Sequence, residues 1–179
     1  MGYRHDREGV LGSALALAHE SGLKELTFRS VGQRAGIPDR TVVYYFPTKD
    51  QLILAVLQRT TAQLMDLLAT AVGEETRQVG ELLQTSWDAL RRPEADRGLR
   101  LYIETVGLAA HGREPYRSVI TDLTATWTTW FATRLALEPG RRDDHAAAIV
   151  ATLDGLLLLQ ATAGTEVADA AARGLGLTA

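Results

Sequence analysis

Apolar residues recur every three or four positions along almost the whole chain, and strand-like alternation is absent. Leu11, Ala14, Leu15 and Ala18 form a first stripe, stopped by Gly22. Thr27 is a hydroxyl N-cap for a short second helix that turns Val31 and Ala35 inward and ends at Gly36. A third helix starts near Pro38, a residue suited to a first turn, and puts Val42 and Phe46 on one side. Pro47-Thr48-Lys49-Asp50 breaks and restarts the chain, with Thr48 as a second cap. A longer fourth helix carries Ile53, Val56, Leu57, Leu64 and Leu68 and closes at Gly73.

The pattern continues through Val79, Leu82, Leu83, Ser86, Trp87 and Leu90, which end at Arg91-Arg92-Pro93. Leu99, Tyr102, Ile103, Val106 and Ala109 follow, ending before Gly112. Two long helices are expected next, over roughly 115–137 and 142–163. The first carries Tyr116, Ile120, Leu123, Trp127 and Trp130; the second carries Ile149, Leu153, Leu156 and Leu157. The tail is Ala-rich from Gly164 and is expected to fray over 174–179. The expected fold is all-α, with about nine helices: an N-terminal three-helix domain, 1–48, and a C-terminal helical bundle, 49–179.

Composition narrows the function. With no cysteine among 179 residues, disulfide scaffolds, thiolate nucleophiles, iron–sulfur clusters and Cys-type zinc sites are excluded. HExxH, GxSxG, P-loop and dinucleotide-binding motifs are absent, so nothing points to an enzyme, and no cofactor is expected. No uninterrupted apolar run reaches the ~20 residues of a membrane span. The polar first residues carry no secretory apolar region, so a cytoplasmic location without membrane association is expected. The net charge of −3 is unevenly distributed: residues 1–58 hold seven Lys/Arg against six Asp/Glu, and 59–179 hold twelve against sixteen. That asymmetry permits a DNA-facing N-terminus without demonstrating one.

The two short helices joined at Ala35-Gly36-Ile37 fit a helix-turn-helix, whose second helix enters the DNA major groove. Its outward residues are Asp39, Arg40, Thr41, Val43, Tyr44 and Tyr45. A guanidinium suits guanine, hydroxyls suit phosphate or base, and valine suits a thymine methyl. Asp39 suits a helix N-terminal charge better than a base contact.

From Ala14 the chain reads A-x-x-x-A-x-E-S-G-L-K-E-L-T-F-R-S-V-G-Q-R-A-G-I-P-D-R-T-V-V-Y-Y-F-P-T-K-D-Q-L-I-L-A-V-L. Residues 11–57 thereby resemble the DNA-binding domain of the tetracycline-repressor (TetR) family of bacterial transcription regulators. The resemblance implies a cytoplasmic homodimer that binds a palindromic operator and releases it when a small molecule occupies the C-terminal domain. It implies that Thr27 caps the second helix beside a phosphate, that Arg29 reaches DNA, and that Thr41 and Tyr44 face the groove. Tyr45 stands where members often have a phosphate-contacting His, and Lys49 would meet a phosphate. Arg40 replaces a usual Gly or Pro, Val43 a common Tyr, Pro38 a frequent Ser and Gly32 a frequent Ala. Arg40 is expected to add a DNA contact. One of Tyr44 and Tyr45 is expected to pack rather than project.

Farther along, Trp87, Tyr102, Val106, Trp127 and Trp130 are expected to line a pocket for an apolar or aromatic effector, with Glu104 or His111 as a polar handle. Leu123, Ile149, Leu153, Leu156 and Leu157 are expected at the dimer interface, which the resemblance places on the two long helices, and the fourth helix is the expected lever between the domains. Asp143-Asp144-His145 has metal-like chemistry, but its place at a helix start favours capping. His5 and His19 are expected to be solvated, and no metal site is expected.

Overall fold

The computed structural model describes residues 6–178. Among these, nine α-helices and one 3-10 turn account for all regular structure apart from an isolated β-bridge. The helices are α1 (Arg7–Ser21), α2 (Phe28–Ala35), α3 (Asp39–Tyr45), α4 (Lys49–Val72), α5 (Val79–Leu90), α6 (Pro93–Ala110), α7 (Tyr116–Ala132), α8 (Pro139–Ala163) and α9 (Thr165–Gly174); the 3-10 turn is Leu23–Glu25.

Two compact units are present. The first comprises residues 1–63 and 100–120, the second 64–99 and 121–179. Helices α4, α6 and α7 each contribute to both. The stretch 11–57 that resembles a DNA-binding domain therefore shares its unit with residues 58–63 and 100–120, and the first unit does not end at residue 48.

In the first unit, Val10, Leu11, Ala14 and Ala18 of α1 pack with Val31, Val42, Phe46, Leu52, Val56 and Leu101. Leu11, Ala14, Ala18, Val31, Val42, Phe46 and Val56 belong to the stripes expected from periodicity, and Val10, Leu52 and Leu101 are added to them. Burying large aliphatic and aromatic side chains contributes roughly 1.5–3 kcal/mol apiece, before the opposing chain entropy. Arg34 of α2 donates two 2.6 Å hydrogen bonds to Glu20 of α1, fastening the second helix to the first. Arg59 pairs with Glu8, and the Arg7 guanidinium stacks 4.9 Å from the Phe46 ring centroid.

The second unit has its own core, built on Leu68, Leu82, Trp87, Phe131, Leu135, Ile149, Leu153 and Leu156. Several expectations are corrected here. Helix α7 stops at Ala132 rather than near residue 137. The Trp130 carbonyl is taken by the Thr133 hydroxyl at 2.7 Å and the Arg134 guanidinium at 3.3 Å, which replaces helical partners with side chains. The chain then runs extended beside Arg77: Arg77 N donates to Arg134 O at 2.8 Å, and Ala136 N to Arg77 O at 2.9 Å. Leu135 is buried, so the apolar period outlasts the helix.

The tail does not fray. Ala168, Ala172 and Leu177 enter the second core, and small alanine side chains allow that close packing. The Gln84 side-chain amide holds the end from both sides, donating to Thr178 O at 3.1 Å and accepting from Thr178 N at 2.7 Å. Arg91 of α5 pairs with Asp169 of α9 at 2.9 Å. Helix α8 starts at Pro139, so Asp143 and Asp144 lie past its first turn and do not cap it. His145 Nδ1 instead lies 2.8 Å from Arg141 O. His19 is half-buried rather than solvated, and His5 lies outside the described residues.

Two helices have the length and mean hydropathy of membrane spans, α4 at 1.2 and α8 at 1.6, although no long run is uninterrupted. For both, core packing explains the apolar positions: Leu52, Val56, Leu64 and Leu68 of α4 and Ile149, Leu153 and Leu156 of α8 are buried in the two units.

Candidate nucleic-acid interface

The α2–α3 pair is set by hydrogen bonds that its sequence supplies. Ser30 N donates to Thr27 Oγ1 at 3.1 Å and Thr27 N to Ser30 Oγ at 3.0 Å, a reciprocal capping box with serine in the usual Glu/Gln position. The Ser30 hydroxyl, with a single proton, donates to Glu25 O at an oxygen–oxygen distance of 2.7 Å. Thr27 is therefore the donor in the 2.8 Å contact between the two hydroxyls. Gly36 ends α2 in the left-handed region, at φ 68°. Ile37 N then donates back to Gly32 O at 3.0 Å. A Cβ on Gly32 would lie 2.9 Å from Ile37 O and 3.3 Å from Asp39 N, so the missing side chain lets the start of α3 approach α2. In sequence Gly32 is only a departure from a frequent Ala, because residue spacing does not report its closeness to the turn.

Pro38 sits just outside α3 as its N-cap, and Asp39 is the first helical residue. Asp39 Oδ1 accepts from Arg40 N at 2.8 Å, which satisfies one of the unpartnered first-turn donors. Val42 and Phe46 are buried against the first core, and this fixes the opposite face toward solvent. Arg40 is exposed and Thr41 half-buried. Val43 and Tyr44 are 38% and 79% exposed. The tyrosines divide as expected: Tyr45 packs on the core, and Tyr44 projects, with ring centroids 5.1 Å apart in an edge-to-face pair. Thr48 Oγ1 accepts from Gln51 N at 3.2 Å, capping α4 directly before exposed Lys49. Thr27 and Arg29 are exposed at the start of α2.

Arg34 and Arg59 are neutralised by carboxylates, whereas Arg29, Arg40 and Lys49 form no ion pair among the described residues. Exposed cations on a unit that also presents an exposed tyrosine suit a polyanion with stacked bases.

The expected pocket residues do not gather in one unit. Tyr102, Glu104 and Val106 belong to the first, while Trp87, Trp127 and Trp130 belong to the second. Glu104 is engaged: both carboxylate oxygens accept from Leu23 N, at 3.1 and 3.0 Å, which braces α6 against the α1 exit. Nearby, burial first, then the carboxylates of Glu104 and Asp50, push the Tyr116 phenol above its usual range. His111 is exposed.

In the second unit Trp127, Trp130 and Phe131 form an aromatic cluster with centroids 5.0–6.2 Å apart, and Arg134 lies 4.0 Å over Trp130. Trp130 lines an open groove of ≈ 510 Å³ with Met65, Ala125, Thr126, Thr129 and Thr133. A second open groove, ≈ 680 Å³, is lined largely by threonines of α7 with Pro139, Arg142 and Asp143. Trp87 is wholly enclosed, yet its Nε1 and the neighbouring Ser86 Oγ have no hydrogen-bond partner among the described residues. Among those residues no group of three or more His, Asp or Glu could hold a metal ion.

Leu123 is half-buried, and Ile149, Leu153, Leu156 and Leu157 are buried in the second unit's own core. The exposed face of α8 is the opposite one, bearing Ala148, Ala151, Gly155, Leu158 and Thr162.

Comparison with known proteins places these features. Residues 10–56 match the family model of bacterial regulatory proteins, tetR family. The fold is similar to a putative TetR-family transcriptional regulator from Rhodococcus sp., with TM-score 0.74, 20% identity, and 95% of this chain and 94% of that chain covered. It is similar also to the multidrug binding protein EbrR in two crystal structures, each at 25% identity. The imidazole complex has TM-score 0.71 and covers 98% of this chain and 93% of that one. The proflavin complex has TM-score 0.68 and covers 94% and 98%. No curated protein matches the sequence.

Proposed function

We propose that the chain, whose residues 10–56 match the model of bacterial regulatory proteins of the tetR family, is a homodimeric repressor relieved by a small molecule, with its DNA-binding domain at the N-terminus. Residues 1–48 together with the start of α4 act as the reading head, and the rest of 49–179 carries effector binding and dimerisation. The observation that carries the DNA half is the solvent-facing side of α2–α3 and the start of α4. There Arg29, Arg40 and Lys49, which form no ion pair among the described residues, accompany Thr41, Tyr44 and the exposed Val43. Arg29, Lys49 and the Thr27 end of α2 engage phosphates and fix the register; Arg40, Thr41 and Tyr44 meet base edges, and Tyr45 positions the helix from behind. Two heads about one DNA turn apart (~34–36 Å) then read a palindrome.

Dimerisation is supported by α8. Only 28% of its most apolar window is buried, although that window has a mean hydropathy of 1.6. Its exposed residues Ala148, Ala151, Gly155, Leu158 and Thr162 recur at three- and four-residue steps, the spacing of a helix–helix seam. Small residues at the seam permit close approach of a symmetry mate, with Leu123 of α7 at its flank.

The effector half is supported by the second unit's aromatic cluster and by Trp87, whose buried Nε1 has no acceptor among the described residues. An aromatic molecule carrying an acceptor atom would satisfy that donor. The ligands in the EbrR structures, imidazole and proflavin, are aromatic. A ligand that favours a head separation unsuited to the operator lowers operator affinity, and the operator lowers ligand affinity by the same factor.

The direct test is an electrophoretic mobility shift with the intergenic DNA upstream of the protein's own gene. Wild type is expected to retard that DNA, Arg29→Ala and Lys49→Ala to weaken the shift, and added salt to weaken it further. Absence of retardation on any neighbouring promoter would refute the regulatory reading.

A further inference from the structure

Among the described residues, the exposed large hydrophobic side chains are few, and two of them, Val43 and Tyr44, are adjacent on the seven-residue helix α3. Val43 has no structural task there. The packing face of α3 is supplied by Val42 and Phe46, both essentially inaccessible, whereas Val43 keeps 38% of its surface in water. On its own helix Val43 follows Arg40 by three residues and Asp39 by four, the Asp39 carboxylate accepting from Arg40 N at 2.8 Å, and Arg29 on α2 and Lys49 at the head of α4 are exposed cations of the same unit. Arg29, Arg40 and Lys49 form no ion pair among the described residues, and a nucleic acid would supply phosphates to them.

Building on the reading of α3 as the recognition helix, we propose that Val43 is a specificity-determining residue whose two methyl groups recognise the 5-methyl group of a thymine in each operator half-site. The chemistry leaves little else for it. Valine has no donor or acceptor, so hydrogen-bonded base edges and phosphates give it nothing, and the thymine methyl is the one apolar feature of the major groove. Arg40 and Val43 are three residues apart on one face, which separates them by about 4.5 Å along the helix axis. Base pairs are stacked ~3.4 Å apart along each strand, so the recognised thymine lies within one or two base pairs of the position that Arg40 reads. The half-site therefore couples a guanine, suited to the guanidinium, to a nearby thymine.

The test starts by selecting binding sites from a random duplex pool with the full-length protein. Each thymine of the enriched site is then replaced by deoxyuridine, which removes only the methyl group, and affinities are measured for wild type and Val43→Ala. One thymine per half-site is expected to weaken wild-type binding about fourfold when demethylated, the factor matching loss of one methylene-sized burial. Val43→Ala is expected to weaken binding to the thymine duplex and to be indifferent to deoxyuridine at that same position. If deoxyuridine is neutral at every position, or if its effect persists unchanged in Val43→Ala, the inference is overturned while the regulator reading stands. Failure to enrich any sequence overturns both. Circular dichroism melts of Val43→Ala, expected to match wild type because the side chain is outside the core, separate loss of contact from loss of fold.

Discussion

Glycines 12 and 32 show how far a residue's effect depends on what its missing side chain would meet. Both are helical, and alanine in place of helical glycine normally stabilises by roughly 0.5–1 kcal/mol. At Gly12 a Cβ meets nothing within 4 Å, so Gly12→Ala is expected to raise the melting temperature. At Gly32 the same atom would sit 2.9 Å from the backbone oxygen of Ile37. Backbone cannot swing aside as a side-chain tip can, and overpacking of this kind costs about 1–3 kcal/mol. Gly32→Ala is therefore expected to lower thermal stability and to weaken DNA binding by displacing α3. A melting temperature at or above wild type would show that the α2–α3 approach tolerates the methyl. Thr27→Ala removes one half of the reciprocal cap and is expected to cost about 1 kcal/mol in urea unfolding. Ser30→Ala, which removes the other half, should fall in the same range.

At the level of elements, the stripes were legible and their partners were not. Periodicity identified Ile149, Leu153, Leu156 and Leu157 as one face of α8, because a 3.6-residue repeat reports which side chains share a face. It carries no information on what covers that face, and here the cover is the molecule's own second core rather than another copy. The same limit hid the end of α7, where Leu135 keeps the apolar period in an extended segment, and the packing of α9, whose alanines resemble a loose tail in composition. Caps and turns were legible because they depend on local chemistry: Thr27, Thr48 and Gly36 lie where their residue types require. Glu104 was not, since its partner Leu23 N is 81 positions away. Glu104→Ala leaves that half-buried N–H without its charged acceptor, and losses of this kind amount to roughly 1.5–3 kcal/mol. Glu104→Gln retains an amide oxygen able to accept and is expected to cost less. Equal stability of all three proteins in denaturant titration would remove the brace from the account. Tyr116, near this carboxylate, gives the unit an alkaline limit. Its raised pKa means that the folded state holds the phenolic proton more tightly than the unfolded chain does. That contribution is intact below pH 10.0, the ordinary phenol value, and is lost as pH rises through the higher folded value. Tyr116→Phe should blunt this alkaline loss of stability.

On the scale of the whole molecule, the proposed assembly makes one residue on α8 matter to DNA binding without touching DNA. Leu158 is 49% exposed in the single chain, at the seam formed with Ala151 and Gly155. A carboxylate there would confront its own symmetry mate across a two-fold axis, since an isologous interface brings the same patch of each copy together. Burying two like charges, or leaving them wet, both oppose association. Leu158→Glu is thus expected to sediment as a monomer in analytical ultracentrifugation while melting as a folded helical protein, because the side chain lies outside the core. Each monomer keeps an intact reading head, so affinity for a single half-site should be unchanged. Affinity for the full palindrome should fall by about 10²–10⁴, the gain that linking two heads confers when geometry permits both to engage. A Leu158→Glu protein that remains dimeric would move the interface to another surface. A monomer that retains full palindrome affinity would instead break the link between dimerisation and operator reading.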